Sequence, residues 1–489
     1  MPQRVTVFDI SRSNRYKWNI DFYSEFDILN EDVVVRKLLV SLMLITLSVA
    51  AQAQQPKHIL FAFVDHFEPN LPVPDPEVAM WANDYVAMAG QHVDADGRHP
   101  VHTFFQMFSS SIDPDKVHGS LKMLNQLTYS GYGEVEFHLH HGITYERERT
   151  EAEAVQEFIW LTQQAKSLFN SRGALITAEP SPQFTFGFIH GMWALDNSRY
   201  NYWDDPTDPH FEYCGVYNEL FLLNRLGAYA DFTFPAWATM EPFIPNVIFY
   251  ARDDFYAGSY LDPHNIRFVE INQPAFGDLM IIQGPKTDTR IGILEGQYNA
   301  PATLERMDMW VSNNVHVFGR GDWIFVKVHT HGCAGDLRQA DVWDAFFGES
   351  IDRFYRDIQA QYNDGHAWKL HYVSAREMYN IIKAAEAGLG GDPGQYRDFL
   401  IPPYANTLIL TGNPYGLVTY GDDMAVLEIL DTSSVVDVRL KDYAPDATIL
   451  ESDDLSLEWG DFDGTQSKGT LGELHFSDST PSRFYSVNR

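Results

Sequence analysis

Short apolar runs recur along most of the chain, and several of them end directly in polar side chains. The clearest runs span residues 58–67, 101–108, 184–190, 229–234 and 323–329. Nearly continuous apolar runs of this length are typical of strands that are buried on both faces of a parallel sheet. The pattern therefore predicts a parallel sheet.

Helix-start signals stand between the predicted strands. Capping boxes at 150–153 and 374–377 predict the starts of two helices, the second of which runs through Ala387. Strands that alternate with helices indicate βαβ units. We therefore predict an α/β protein in which the sheet is parallel.

The stretch at 134–142 (EVEFHLHHG) alternates as a strand does and holds three histidines within four residues. Because successive strand residues point to opposite faces, Glu136, His138 and His140 share one face. Two imidazoles and a carboxylate on one face are typical of a metal-binding or catalytic cluster. The alternative is a polar edge strand, or histidines held by buried hydrogen bonds.

Other segments depart from the strand–helix alternation. Residues 240–300 are less regular and predict an inserted β excursion. The glycine-rich stretch at 389–399 predicts a linker. Short alternating runs over 400–489 predict a small β-sandwich-like domain.

The N-terminal region contains the parts of a secretory signal. A basic pair, an apolar run and an Ala-Gln-Ala ending lie within 33–53. The run is too short to span a bilayer comfortably, so we predict no stable transmembrane anchor. We expect a cleaved signal peptide and a periplasmic or extracellular protein, with residues 1–32 interpreted as a misassigned leader.

The net charge limits which partners the protein can bind, and the cysteine content limits its disulfide chemistry. The net charge of −32 argues against nucleic acid, because proteins bind phosphates through basic residues. The two cysteines, Cys214 and Cys333, allow one disulfide after export. A reactive or metal-binding Cys333 is the alternative.

Candidate catalytic groups follow the predicted strands. They are Asp65 and His66, His138 with His140 or His141, His190, Asp231, and His329 with His331. In α/β barrels the carboxyl ends of the strands form the rim on which active sites are assembled. Carboxylates and imidazoles on one rim suit a hydrolytic metal site, where side chains transfer protons beside an activated water. The alternatives for single groups are a helix cap, a core histidine or an ion pair with arginine.

At these positions the sequence resembles the polysaccharide deacetylase (NodB-homology) family, over roughly residues 57–388. The resemblance rests on Asp65-His66 and on the segments 103–105, 133–138, 326–329 and 372–377. It implies a distorted (β/α)7 barrel, followed here by the β-sandwich. It also implies a divalent metal, commonly zinc, and removal of N- or O-acetyl groups from polysaccharide.

The resemblance implies roles for single residues as well. Asp65 would be the catalytic base, and His66 and His138 would bind the metal. His329 would be the acid, with His331 as the alternative.

The sequence departs from the family pattern at two places. The second histidine ligand of the family falls on Gly142, so His140 or His141 must replace it, and His140 is preferred because it shares the face of His138. The Arg-Pro-aromatic motif of the family has no clean counterpart.

A loop rich in aromatic and polar residues follows the fourth predicted strand. Its candidate substrate-binding residues are Trp193, Asn197, Tyr202 and Trp203. Aromatic rings there would stack on sugars, and ordinary packing is the alternative.

Three functions remain open from the sequence. The leading hypothesis is a secreted metal-dependent hydrolase that deacetylates carbohydrate. The second is a glycoside hydrolase that pairs Glu68 or Glu136 with Asp231. The third is a non-catalytic carbohydrate-binding or assembly protein.

Overall fold

The computed structural model describes most of the chain between residues 55 and 405 and the backbone of short strands beyond it. The described residues are 55–68, 84–108, 117, 120–121, 124, 127–128, 131–140, 151–170, 174–177, 182–191, 195–196, 216–235, 241–287, 290–291, 301–331, 348–405 and, within 409–488, the strands named below. Among these residues, no helix combines the length and the apolar character needed to cross a membrane.

A ten-stranded sheet forms the centre of the fold. Its strands are β1 (Lys57–Phe67), β2 (His102–Phe108), β3 (Gly133–Leu139), β4 (Phe186–His190), β5 (Ala228–Asp231), β6 (Ile248–Ala251), β7 (Ile266–Phe268), β8 (Leu279–Ile282), β11 (Trp323–Thr330) and β12 (Trp368–Tyr372). Two further strands, β9 (Lys286–Thr287) and β10 (Arg290–Ile291), form a separate small hairpin. The strand order is β11-β1-β2-β3-β4-β5-β8-β6-β7, and β12 also pairs with β1. Every pairing from β11 to β8 is parallel, whereas β6 and β7 are antiparallel. The predicted α/β fold with a large parallel sheet is confirmed, and its closure into a (β/α)7 barrel remains a prediction.

Helices follow several of the strands. They are α1 (Glu151–Asn170), α2 (Glu219–Leu226), α3 (Leu304–Ser312), α4 (Glu349–Tyr362) and α5 (Ala375–Glu386). The predicted capping box is present at the start of α5, where Ser374 accepts from the backbone of Glu377 and the Glu377 side chain accepts from the backbone of Ser374. Thr150 lies outside the described residues, so the cap predicted for α1 does too.

The sheet packs on both faces, and the alternation of β1 shows how. Its odd-numbered residues Ile59, Phe61 and Phe63 join a core shared with α1, α2, α3 and α4. Its even-numbered residues Leu60, Ala62 and Val64 join a second core that includes α5. We call the second face the α5 face. Continuing the alternation places His66 on the α5 face.

A buried ion pair ties α5 to the sheet. Arg376 of α5 donates to Glu134 of β3 at 2.8 Å, and both side chains are at most 5% exposed. Ser374 donates to the same carboxylate at 2.6 Å. Arg376 also donates to the carbonyl of Ile401 at 2.7 Å. The start of α5 is therefore fixed at the level of Glu134, two residues along β3 from Glu136.

The stretch at 389–399, where the sequence predicts a linker, makes specific contacts. It contains a 3₁₀ helix, Pro393–Tyr396, and a buried Arg397. Arg397 donates to the carbonyl of Tyr372 and, at 3.0 Å, to Glu377. This stretch therefore packs against the start of α5.

Beyond residue 405 the described backbone consists of short strands. They are β13 (Ile409–Thr411), β14 (Gly416–Tyr420), β15 (Met424–Ile429), β16 (Val436–Leu440), β17 (Ile449–Ser452), β18 (Gly460–Asp461), β19 (Thr465–Lys468), β20 (Leu474–Asp478) and β21 (Phe484–Asn488). They form two antiparallel sheets, β13-β16-β20-β19 and β14-β15-β21-β17-β18. The strands described beyond residue 405 are compatible with the predicted sandwich, whose sheet-on-sheet packing remains a prediction.

The buried ion pair predicts a large stability effect. Arg376→Gln leaves Glu134 buried without its cation, so we expect the free energy of unfolding in urea to fall by about 3–5 kcal/mol. The matched control is Arg356→Gln, because Arg356 is 60% exposed and pairs with Asp352 at 2.8 Å. The control should cost less than about 1 kcal/mol. Equal losses in the two variants would contradict the structural role of the buried pair.

Candidate functional site

Three strands of the sheet each send a pair of side chains to the α5 face at their carboxyl ends. Each pair consists of residues i and i+2, and the second member comes one residue after the strand. The pairs are His66 and Glu68 after β1, His138 and His140 after β3, and His329 and His331 after β11. Parallel strands end at the same edge of a sheet, so the pairs converge. We call these six residues the rim cluster.

Glu68 is the centre of the described contacts. Its Oε1 atom lies 2.9 Å from His138 Nε2 and 3.1 Å from His140 Nε2. The two Nε2 atoms are themselves 3.0 Å apart. His138 is fully buried, whereas the side chains of Glu68 and His140 are each 18% exposed. The carboxylate is therefore reachable from solvent while its first imidazole partner is not.

The position of the proton on the His138 ring indicates whether these three atoms suit a bound cation. Its Nδ1 lies 2.9 Å from the carbonyl oxygen of Ile189, which only accepts, so Nδ1 carries a proton. Burial lowers the pKa of His138, and neighbouring His140 lowers it further, against the opposing charge of Glu68. A neutral ring with a proton on Nδ1 presents a lone pair at Nε2. That lone pair lies beside a carboxylate oxygen and a second imidazole nitrogen, so a cation bound among the three atoms would have three ligands.

The donor set fits zinc. Zinc takes carboxylate oxygen and imidazole nitrogen at about 2.0–2.2 Å in a tetrahedron, which corresponds to ligand atoms about 3.3 Å apart. The three separations observed are close to that value. The bond from His138 Nδ1 to Ile189 is the outer contact that fixes the orientation of a metal-binding histidine. Glu68, His138 and His140 therefore form a candidate metal centre.

His66 and His331 form a second group with Glu68. Their ligand atoms and a Glu68 oxygen all lie within 4.8 Å of one another. His66 is buried, and His331 is half-buried. Burial lowers the pKa of His66 well below its usual value, and the nearby rings of His331, His138 and His329 lower it further. His66 is therefore neutral at neutral pH.

The structure adds Glu68 to the residues that the sequence predicts as ligands. The sequence predicts His66, His138 and His140, and the structure brings all three to one site. The compact triplet, however, is completed by Glu68, while His66 is grouped with Glu68 and His331. His329 is buried in the same cluster, with its ring 5.4 Å from that of His66. The sequence predicts Glu68 only as a glycosidase carboxylate, although its i+2 spacing from His66 predicts a shared face.

Asp65 occupies a different place from the one that its predicted role requires. It precedes His66 in β1 and so points to the opposite face of the sheet. There it accepts a hydrogen bond from His102 Nε2 at 3.2 Å, and both side chains are fully buried. Phe63 packs on the same His102 ring. This position gives no support to Asp65 as the catalytic base, because a base must reach the reacting group.

Asp231 lies at the end of β5, bonded within its own loop. Its carboxylate accepts from the hydroxyl and the backbone N–H of Thr233, at 2.6 and 3.0 Å. Burial raises the pKa of Asp231, against the hydrogen bonds from Thr233 and the charge of Lys327. Burial likewise lowers the pKa of Lys327, which donates to the carbonyls of Phe232 and Phe234. Both groups are buried, at most 1% exposed, as His138 of the rim cluster is.

His190 and Gly191 form the wall beside His140. Burial lowers the pKa of His190 to about 3, and its backbone N–H donates to Thr233 at 2.9 Å. A Cβ atom at Gly191 would lie 2.5 Å from the nearest atom of the His140 ring. The imidazole of His140 therefore packs directly on the backbone of Gly191.

Glu136 is buried below His138 on the same strand face. It accepts hydrogen bonds from Tyr229, Tyr404 and the backbone of Gly187, at 2.6, 2.9 and 2.5 Å respectively. Burial nevertheless raises its pKa to about 8, against these bonds. Glu136 is 0% exposed and so does not reach solvent.

Other predicted residues lie outside the described residues. These are His141, the loop residues Trp193, Asn197, Tyr202 and Trp203, and both cysteines, Cys214 and Cys333. Their predicted roles stay predictions.

Fold and site together define an α/β protein with a histidine–carboxylate cluster at the carboxyl ends of parallel strands. No protein-family model matches the chain, and no curated protein matches it. Among solved structures it is similar to the glycoside hydrolase family 30 subfamily 8 xylanase from Clostridium acetobutylicum, at 10% identity and a TM-score of 0.27, covering 90% of this chain and 98% of that chain. It is also similar to the catalytic domain of xylanase C from Talaromyces cellulolyticus, at 9% identity and a TM-score of 0.27, covering 89% and 98%. The site is therefore interpreted from its own geometry.

The contact at Gly191 predicts a selective effect on metal binding. Gly191→Ala displaces the His140 ring, so we expect zinc affinity to fall about 10–100-fold, as for other residues that orient a ligand. The control is Gly321→Ala, because a Cβ there meets nothing closer than 3.8 Å. Titration calorimetry with zinc measures both. Unchanged affinity in Gly191→Ala would contradict the ligand role of His140.

The buried carboxyl of Glu136 predicts a pH-dependent stability term. A folded-state pKa raised from 4.5 to about 8 favours the protonated form in the folded protein. Its stabilising contribution is therefore complete below pH 4.5 and is lost as the pH rises to about 8. Relative to Glu136→Gln, the wild type should lose stability across that range, as measured by urea unfolding at a series of pH values. A constant difference between the two proteins would refute the shift.

Proposed function

We propose that this protein is a hydrolase acting on carbohydrate and that it uses a divalent metal, zinc, held by Glu68, His138 and His140. One observation carries the proposal. The Nε2 atoms of two histidines face the same carboxylate oxygen, while Nδ1 of His138 donates to the carbonyl of Ile189. This is the donor arrangement of a metal ligand with its outer contact.

The residues around the centre supply the remaining functions of a hydrolytic site. A metal bound here supplies Lewis-acid chemistry, polarising a carbonyl and lowering the pKa of water. Buried His138 fixes the position of the site, and the partly exposed Glu68 and His140 face the solvent side, where substrate enters. His331, half-buried and 4.5 Å from His66 between ring centroids, is the proposed proton-transfer residue. Asp65 has no part in this proposal, since it lies beside His102.

The substrate class rests on the sequence. The strand-end residues and the order of the elements resemble the polysaccharide deacetylases, so we propose N- or O-acetyl groups on polysaccharide as the target. The predicted signal at 33–53 supports a periplasmic or extracellular site of action.

The proposal predicts that metal and activity are lost together. Removing an orienting contact costs a metalloenzyme about 10–100-fold, so His138→Ala, which removes a ligand, should lower acetate release at least about 100-fold. Zinc content by plasma mass spectrometry should fall in parallel. His366→Ala is the control, because His366 is exposed. Undiminished acetate release by metal-free protein would sink the metal-dependent mechanism, and glycan binding without any turnover would favour the non-catalytic hypothesis.

A glycoside hydrolase is the second candidate, and one observation favours it. Burial would raise the pKa of Glu68, but the imidazoles of His138 and His140 beside it hold that pKa well below its usual range. Burial shifts the pKa of Asp231 in the opposite direction, upward. Two carboxyl groups with opposite shifts are the pattern of a glycosidase base and acid.

Product analysis separates the two candidates. The deacetylase releases acetate, and that release should stop with chelation. The glycoside hydrolase releases reducing ends, and both chelated protein and Gly191→Ala should retain this activity. Reducing ends lost in Asp231→Asn and retained after chelation would replace the first proposal with the second.

A further inference from the structure

Two triplets of metal-ligating side chains share Glu68. The first is Glu68, His138 and His140, and the second is His66, Glu68 and His331. A carboxylate has two oxygens, and Oε1 of Glu68 already faces the first pair of histidines. Because a carboxylate can offer an oxygen to each of two cations, Glu68 can serve both triplets.

The strand order explains why Glu68 is shared. β1 lies between β11 on one side and β2, followed by β3, on the other. The ring of His66 is accordingly 4.5 Å from that of His331 and 5.2 Å from that of His138. Glu68 shares the strand face of His66 and so stands between the histidines of β11 and those of β3. A carboxylate in that position can bridge two cations, one beside each group of histidines.

A histidine group at the opposite end of the sheet has a different character. His371 donates from Nδ1 to Asp96 at 2.9 Å, and its Nε2 then accepts from Nδ1 of His58 at 2.9 Å. Each contact there pairs a donor with an acceptor, so hydrogen bonds alone satisfy the group. In the rim cluster, by contrast, three potential ligand atoms, Glu68 Oε1 and the Nε2 atoms of His138 and His140, all lie within 3.1 Å of one another. This convergence of three ligand atoms distinguishes the rim cluster from the other histidine group.

We propose that the rim cluster binds two divalent cations bridged by the Glu68 carboxylate, with His66 and His331 as ligands of the second. This inference rests on the proposed function, because the first cation is the metal of the proposed hydrolase. Hydrolytic enzymes that use paired metals hold them about 3.5–4 Å apart, a distance that one carboxylate spans. The proposal gives His331 a ligand role when the second cation is bound, which limits its proton transfer to the singly loaded protein.

Metal stoichiometry tests the proposal without reference to activity. The full chain is stripped with a chelator, reloaded with Mn²⁺, desalted and analysed by plasma mass spectrometry. We expect two equivalents per wild-type chain and one in His331→Ala, with His366→Ala retaining two. Electron paramagnetic resonance supplies the second measurement, since a bridged Mn²⁺ pair gives an exchange-coupled spectrum and a single ion gives six lines. His331→Ala should convert the first spectrum into the second.

The possible outcomes distinguish failure of the second cation site from failure of the proposed function. One equivalent in the wild type, unchanged in His331→Ala, overturns the second cation and leaves the proposed function standing. No binding by the wild type overturns both. Two equivalents in both proteins would show that the second cation lies elsewhere, which also overturns the proposal. His331→Gln, checked for native circular dichroism, repeats the test with a side chain of similar size.

Discussion

The alternation of side chains along parallel strands is the constraint on which the candidate site depends. On β1 it sends Ile59, Phe61 and Phe63 to one core and Leu60, Ala62 and Val64 to the other. The same alternation, carried to the strand end, turns His66 and Glu68 toward the α5 face. Because β3 and β11 obey the same period, their histidines arrive on that face as well. A shift of one residue in any of these strands would turn its pair to the opposite face of the sheet, into the core that the sheet shares with α1, α2, α3 and α4.

Strand β3 shows how the structure accommodates polar groups on a buried face. Glu134, at the lower end, is neutralised by Arg376 and bonded to Ser374. Glu136 is surrounded by tyrosine hydroxyls, and its raised pKa allows it to shed its charge. His138 is neutral because it is buried. Charge is therefore compensated differently at each of the three positions. Among them, only His138, at the carboxyl end of β3, presents an atom suited to binding a cation.

Much of this arrangement could be predicted from the sequence. The apolar runs and the capping box at Ser374 predicted the parallel sheet and the start of α5, since both depend on local pattern. The face shared by His138 and His140 followed from period two. Asp65 was placed at the site through family resemblance, whereas alternation from His66 predicts the opposite face. Neither the hydrogen bond to Ile189 nor the packing on Gly191 has a sequence signal, because each depends on how the carboxyl ends of β3 and β4 align in three dimensions.

The position of β1 in the sheet has a consequence for how the protein is made. Its neighbours β11 and β12 come from the far side of the α/β region, and β12 shares one edge of β1 with β2. While the ribosome is still synthesising the middle of the chain, β1, the longest strand of the sheet, has no partner on one edge. Pairings between such distant segments form slowly. The nascent chain must therefore keep β1 from pairing with other chains until residue 330 has emerged, a task that suits a holding chaperone.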